Sequence, residues 1–139
     1  MMEITSPGKI ILFGEHAVVY GKPAIAAPVN SLTTNVKLKE TDDEISKIIV
    51  PDKSLTPEER NRLEELVELM KKELDIKDNF HITIDSSIPI SSGMGSSASL
   101  CVSIAKSLFL HKNNSVDVDE LSKLALIGEK IFHGNPSGI

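Results

Sequence analysis

Tryptophan is absent, tyrosine occurs once, and aromatics make up 4% of the 139 residues. Stacking platforms for nucleic-acid bases are therefore unsupported. Cysteine occurs once, as Cys101, which excludes an internal disulfide framework and a cysteine-rich zinc site. Basic residues are in deficit: 15 Lys and Arg against 20 Asp and Glu leave a formal net charge of −5. That balance argues against a protein that grips a nucleic-acid backbone, where clustered cations are needed. No apolar run approaches the ~18 residues of a membrane-spanning helix. The Met-Met-Glu start carries no basic leader region and no cleavage site, so the expectation is a cytoplasmic protein with no nucleic-acid and no membrane partner. What remains is 40% hydrophobic and 25% charged, the balance of a folded, water-exposed domain. A chain of this length is one domain's worth and can bury roughly two-thirds of its unfolded surface.

The pattern along the chain alternates between strand and helix signals. Residues 4–13 read as two extended pieces broken at Pro7-Gly8, followed by a turn at Gly14-Glu15-His16. Ala24 to Ala27 lies between Pro23 and Pro28, which bars a helix there. Thr33 to Glu40 alternates as a half-buried strand, and Ile45 to Val50 is the expected partner strand across the acidic turn Thr41-Asp42-Asp43. Thr56-Pro57-Glu58-Glu59 announces a helix: Thr56 caps it, Pro57 suits its first position and Glu59 closes a capping box. Leu63, Leu66, Val67, Met70 and Leu74 follow at helical spacing, and the charged outer face of residues 57–74 reads as solvated. Phe80 to Ser86 alternates as another strand. Ser97 to Leu110 reads as a helix whose apolar residues wrap past one stripe, so burial on several sides is expected. Asp117 and Glu120 announce, as a second capping box, a last helix reaching about His133. Strands, helix, strand, helix, helix predict an α+β fold with helices on one face of a mixed or antiparallel sheet.

The most chemically suggestive segment is Pro89-Ile90-Ser91-Ser92-Gly93-Met94-Gly95-Ser96-Ser97-Ala98, between a strand and a buried helix. Its glycines let backbone approach a ligand, and amides at a helix start favour an anion. The hydroxyls of Ser96 and Ser97 suit a phosphate oxygen or a phosphate-bound magnesium. The same composition also suits a plain strand-to-helix connector, and the Gly-x-x-x-x-Gly-Lys pattern is absent. Lys9, inside an apolar strand, either extends to the surface or meets an anion. Glu15 and His16 suit either a polar substrate or a solvated turn. Glu129 falls at the edge of the arc of its helix defined by Leu121, Leu124, Ala125, Gly128, Ile131 and Phe132, where a carboxylate needs a partner. Cys101 reads as a small buried apolar residue. His81, His111 and His133 lack metal-ligand spacing.

Three segments together resemble the mevalonate kinase branch of the GHMP small-molecule kinases. The first is Pro7-Gly8-Lys9-Ile10-Ile11-Leu12-Phe13-Gly14-Glu15-His16 and its continuation to Ala24. The second is the loop from Pro89 to Ala98. The third is Glu129 with His133-Gly134-Asn135-Pro136-Ser137-Gly138. They stand in family order across the whole chain. One departure is Ser91-Ser92, where many members carry a glycine nearer the proline; serine is tolerated there if the backbone angles are ordinary. In the resembling kinases an aspartate directly follows the Ser-Gly-x run, a position after Ile139, and those kinases are roughly twice as long.

The resemblance implies a ribosomal-protein-S5-like α+β domain with a left-handed βαβ crossover. Residues 1–139 would then be the N-terminal, ATP-binding GHMP domain, truncated before a C-terminal domain. It implies transfer of the ATP γ-phosphoryl group to the 5-hydroxyl of mevalonate, with Mg²⁺, in isoprenoid synthesis. Ser92, Gly93, Met94, Gly95, Ser96 and Ser97 would cradle the triphosphate. Ser97 and Glu129 would hold magnesium, and Lys9 would stabilise charge at the transferred group. Glu15, His16 and Ser137 would line the mevalonate pocket. The implied partners are mevalonate, ATP and the C-terminal half of the kinase, and a homodimer is left open. Three competing expectations are phosphomevalonate kinase within the same superfamily, a non-catalytic nucleotide-binding module, and a structural fragment that exposes apolar surface.

Overall fold

The structure, a computed structural model, describes residues 1–134. It contains four strands, β1 (Met2–Phe13), β2 (Ile25–Thr41), β3 (Lys47–Ile49) and β4 (Asn79–Ser86). Three α-helices follow the same chain order: α1 (Pro57–Glu73), α2 (Ser96–Asn113) and α3 (Val118–Phe132), with a short 3-10 turn at Val18–Tyr20. The fold is α+β, as the sequence pattern predicts. The strands form one mixed sheet in the order β1-β2-β4-β3.

Alternation decides which face is buried. Ile4, Val36, Leu38, Ile48, Phe80, Ile82 and Ile84 point to one side and are buried. All but Ile4 join Leu66, Val67 and Met70 of α1, Ile104 and Leu108 of α2, and Leu124 of α3 in one cluster. Burial of this apolar set drives the assembly at roughly 25 cal/mol per Å² removed from water. The other face carries Lys37, Lys39 and Asp85, which are exposed. Lys37 meets Glu3 there at 3.8 Å.

The expected pairing of residues 45–50 with 33–40 is not what forms. β4 inserts between β2 and β3; it pairs antiparallel with β2 and parallel with β3. A parallel pair needs a crossover, and α1 supplies it. The acidic turn is tied to β4 by side chains. The Asp43 carboxylate contacts His81 at 2.8 Å and Lys47 at 2.6 Å. The Asn79 amide donates to the Asp43 carbonyl at 3.0 Å, and the Phe80 N–H donates to Ser46 Oγ at 3.1 Å. Residues 42–46 therefore carry the chain past β4 and do not fold back on β2.

Two further expectations change in detail. Residues 4–13 are one strand, not two pieces: the break at Pro7-Gly8 is a register irregularity in its pairing with β2. The Ala24–Ala27 patch and the Thr33–Glu40 alternation merge into the single strand β2. The outer face of α1 is not wholly solvated either. Lys71 is only 5% exposed; its ammonium donates to Glu68 and to Asn79 Oδ1, both at 2.9 Å. A buried ammonium needs such acceptors.

Helix α2 is the spine that brings sheet and helices together. It packs on β1, β2, α1 and α3, which accounts for apolar residues around most of its circumference. Ser99, Ser103 and Ser107, one turn apart, are buried. Ser99 donates to the Ser6 carbonyl at 2.8 Å and Ser103 to the Thr34 carbonyl at 3.4 Å. Short hydroxyl side chains let the helix lie close to the sheet while satisfying their own hydrogen bonds. The α1 capping box forms in full: Glu59 N–H donates to Thr56 Oγ1 and Thr56 N–H to Glu59 Oε2. At α3 the half in which Asp117 accepts from the Glu120 amide forms, at 3.0 Å.

Candidate functional site

A cleft of about 910 Å³ runs between the 89–97 loop and the region of residues 50–62. Lys9, the segment Ser91–Ser97, Glu129 and His133 line it, as do Lys53, Glu59 and Arg62. Its size suits a small-molecule ligand.

The irregularity in β1 positions the loop. The Lys9 N–H donates to the Met94 carbonyl at 2.9 Å, so the loop is hydrogen-bonded to β1 just past the Pro7/Gly8 shift. The approach is close enough that a Cβ on Gly8 would lie 3.0 Å from that same carbonyl oxygen. Gly95, the residue before α2, has φ +71 and caps it in the left-handed region. A Cβ there would sit 2.7 Å from Lys9 Cγ. The Lys9 side chain therefore lies directly over Gly95, at the N-terminal end of α2. The amides of that end and the ammonium form one electropositive corner. Within the loop, Ser92 Oγ donates to the Pro89 carbonyl at 2.7 Å and accepts from the Met94 N–H at 3.3 Å, which holds the turn closed.

Ser91 does not have the ordinary angles that its tolerance required. Its φ is +60, in the left-handed region that costs an L-residue about 1–2 kcal/mol. The position favours glycine, and serine here carries strain.

The electrostatics are uneven. Burial lowers the Lys9 pKa from its ordinary 10.5, while the Glu129 carboxylate pulls it back up. Glu129 is half-buried and lies 4.0 Å from the Cys101 thiol through Oε1. Cys101 is buried as expected, and desolvation, helped by Glu129, raises its pKa far above the usual thiol range. Ser97 Oγ lies 3.1 Å from His133 Nε2, and the His133 N–H donates to the Glu129 carbonyl at 2.8 Å.

The structure therefore brings Lys9, the 92–97 loop and Glu129 into one cleft. It does not bring Glu15 and His16 there. They lie on the turn after β1, exposed, with their side chains 3.8 Å apart, and neither lines the cleft. Ser137 lies outside the described residues. Two residues at the site, Gly8 and His133, belong to the resembling segments but carry no assigned role from the sequence: Gly8 stands out only as part of Pro7-Gly8, and His133 lacks metal-ligand spacing. Its neighbour Gly134 and its distance of four residues from Glu129, one helical turn, are the signals that could have found it.

The fit of a divalent cation can be judged from the donors. Ser97 and Glu129 contribute a hydroxyl and a carboxylate to the same cleft. Hard oxygen donors in that small number suit magnesium, which keeps waters and takes phosphate oxygens from its substrate. Among the described residues no group of three or more His, Cys, Asp or Glu is placed to hold a metal ion, so any cation here would rely on few protein donors. No helix is long and apolar enough to cross a membrane among these residues.

The architecture is an α+β sheet with a crossover helix and a glycine-serine loop leading into a buried helix. Residues 61–139 match the family model described as "GHMP kinases N terminal domain", and the chain belongs to that family. It is 35% identical to the mevalonate kinase of Methanocaldococcus jannaschii, over 98% of this chain and 49% of the relative. The crystal structure of the Methanococcus jannaschii mevalonate kinase superposes with a TM-score of 0.81 at 34% identity, covering 96% of this chain and 47% of that one. An L. major mevalonate kinase in complex with R-mevalonate superposes with a TM-score of 0.75 at 28% identity, covering 99% and 44%. The chain spans about half the length of the curated relatives it matches.

Proposed function

We propose that this chain is the nucleotide-binding half of a kinase that transfers the γ-phosphoryl group of ATP to the 5-hydroxyl of mevalonate. One observation carries the reading: Lys9 lies over Gly95 at the start of α2, in the cleft that Ser97 and Glu129 also line. Phosphoryl transfer needs positioning and charge stabilisation more than covalent chemistry. In this reading the 92–97 loop binds the triphosphate through its amides and hydroxyls. Lys9 sits where a terminal phosphate emerges from the loop and stabilises the charge it carries. Ser97 and Glu129 would hold magnesium, which, when bound, neutralises phosphate charge. Ser137, with Glu15 and His16, would complete the mevalonate pocket, the latter two from a turn beyond the cleft.

A C-terminal half of the kinase is part of the proposal. The outer end of the β1–β2 hairpin supports it: Leu12, Phe13, Val19, Tyr20 and Ile25 are 48% to 81% exposed. That much apolar surface is unusual on a self-sufficient monomer. Alone, the chain leaves its cleft open to water and is expected to turn over poorly, since one missing electrostatic group often costs ~10²–10³ in rate.

The test measures binding and turnover separately. Calorimetry should find ATP binding to this chain that strengthens with Mg²⁺. Mevalonate phosphorylation should appear only when a separately made C-terminal half is added. ATP binding without turnover in either mixture would favour a nucleotide-binding module. No ATP binding at all would withdraw the proposed roles.

A further inference from the structure

Ser97 and Glu129, the two oxygen donors of the proposed cation site, come from different helices, and one residue joins them. The backbone N–H of His133 donates to the Glu129 carbonyl at 2.8 Å. Its ring nitrogen Nε2 lies 3.1 Å from Ser97 Oγ. Ser97 has a single hydroxyl proton and two lone pairs. Among the described residues, Nε2 is the one hydrogen-bonding partner of that hydroxyl. If Nε2 carried the imidazole proton, it would occupy a serine lone pair that a cation or phosphate-bound water needs. If Nε2 is bare, it takes the hydroxyl proton and leaves both lone pairs available to the cleft. The second arrangement also locks the Ser97 rotamer, because the proton points along one line to the ring.

We propose that His133 is a positioning residue that accepts the Ser97 hydroxyl proton at Nε2 and thereby presents the Ser97 oxygen to a divalent cation. The proposal rests on the reading of Ser97 and Glu129 as the cation donors. It assigns the imidazole proton to Nδ1. A residue that orients a donor in this way often changes metal affinity as much as a weak ligand does.

Two experiments on the 139-residue chain test it. The first needs no ligand: long-range ¹H–¹⁵N correlation of the neutral His133 ring. A bare Nε2 and protonated Nδ1 are expected, shifting toward the Nε2–H form in Ser97→Ala. A wild-type ring protonated at Nε2 overturns the proposal. The second compares ATP affinity with Mg²⁺ and with a chelator. His133→Leu should cut the gain from Mg²⁺ by roughly tenfold and leave metal-free ATP affinity within about twofold. His133→Gln, whose Oε1 reaches the place of Nε2, should restore most of the gain, and adding His133→Leu to Ser97→Ala should cost nothing more. Equal losses with and without Mg²⁺, or an unchanged His133→Leu in a chain whose wild type responds to Mg²⁺, overturn the proposal alone. A wild-type affinity indifferent to Mg²⁺ overturns the cation-site reading and the proposal with it.

Discussion

Replacing Gly95 by alanine probes the corner on which the functional reading depends. Two costs arise from the structure. Gly95 has φ +71, where an L-residue pays about 1–2 kcal/mol. The new Cβ would also lie 2.7 Å from Lys9 Cγ and 3.1 Å from Cε, so the lysine chain must swing away. The first cost lowers stability. At about 3–5 °C per kcal/mol for a chain of this size, thermal unfolding should fall by roughly 3–10 °C. The second would move the ammonium away from the phosphate it is proposed to meet, and a hydrogen bond to a charged group contributes about 1.5–3 kcal/mol. ATP should then bind roughly 10- to 150-fold more weakly. Gly93→Ala separates the effects, because Gly93 has φ +73 and nothing within 4 Å of an added Cβ. It should show the stability loss from backbone strain alone. A double-mutant cycle with Lys9→Ala, which deletes the clashing atoms, completes the test by calorimetry. In that background Gly95→Ala should cost little further affinity. Equal affinity losses from Gly95→Ala in both backgrounds would refute the packing of Lys9 on the loop as the cause.

Lys9 should also leave a signature in proton balance. Burial holds its folded-state pKa below 10.5, so between that folded value and 10.5 the unfolded chain binds more protons and stability rises with pH. A bound phosphate favours the ammonium again. ATP binding in that window should therefore take up protons, read by calorimetry in buffers of different ionisation enthalpy. Lys9→Met should abolish the uptake, and proton release on binding would contradict the assignment. Ser91→Gly relieves a serine held at φ +60 and should raise stability by about 0.5–1 kcal/mol after glycine's entropy loss. An unchanged or lowered melting temperature would show that Ser91 is not strained.

Much of the architecture was legible because it is local. Thr56-Pro57-Glu58-Glu59 marks the start of α1 within one turn, and the cap forms as spaced. Phe80, Ile82 and Ile84 announce β4 by alternation, a property of the pleat itself. The 89–98 loop was conspicuous as a loop, and Lys9, Ser97 and Glu129 stood out through the motif order. Sheet order was not legible. Residues 45–50 are equally apolar whether they pair with β2 or β4, and hydrogen bonds that tie Asp43 and Ser46 to Asn79, Phe80 and His81 of β4 make the choice. Lys71 reads as one more cation on a charged helix face until Asn79 and Glu68 close around it.

The division has a physical cause. Composition, capping, periodicity and the glycine-serine loop depend on residues near each other in the chain, so the sequence alone determined the elements, the acidic balance and the motif order. Contacts between distant residues depend on three-dimensional closure, and tertiary structure alone decided them. It inserted β4 between β2 and β3, laid Lys9 over Gly95 across 86 residues, and set the Ser97 hydroxyl against His133. It also left Glu15 and His16 outside the cleft, on a turn whose direction their own chemistry does not specify.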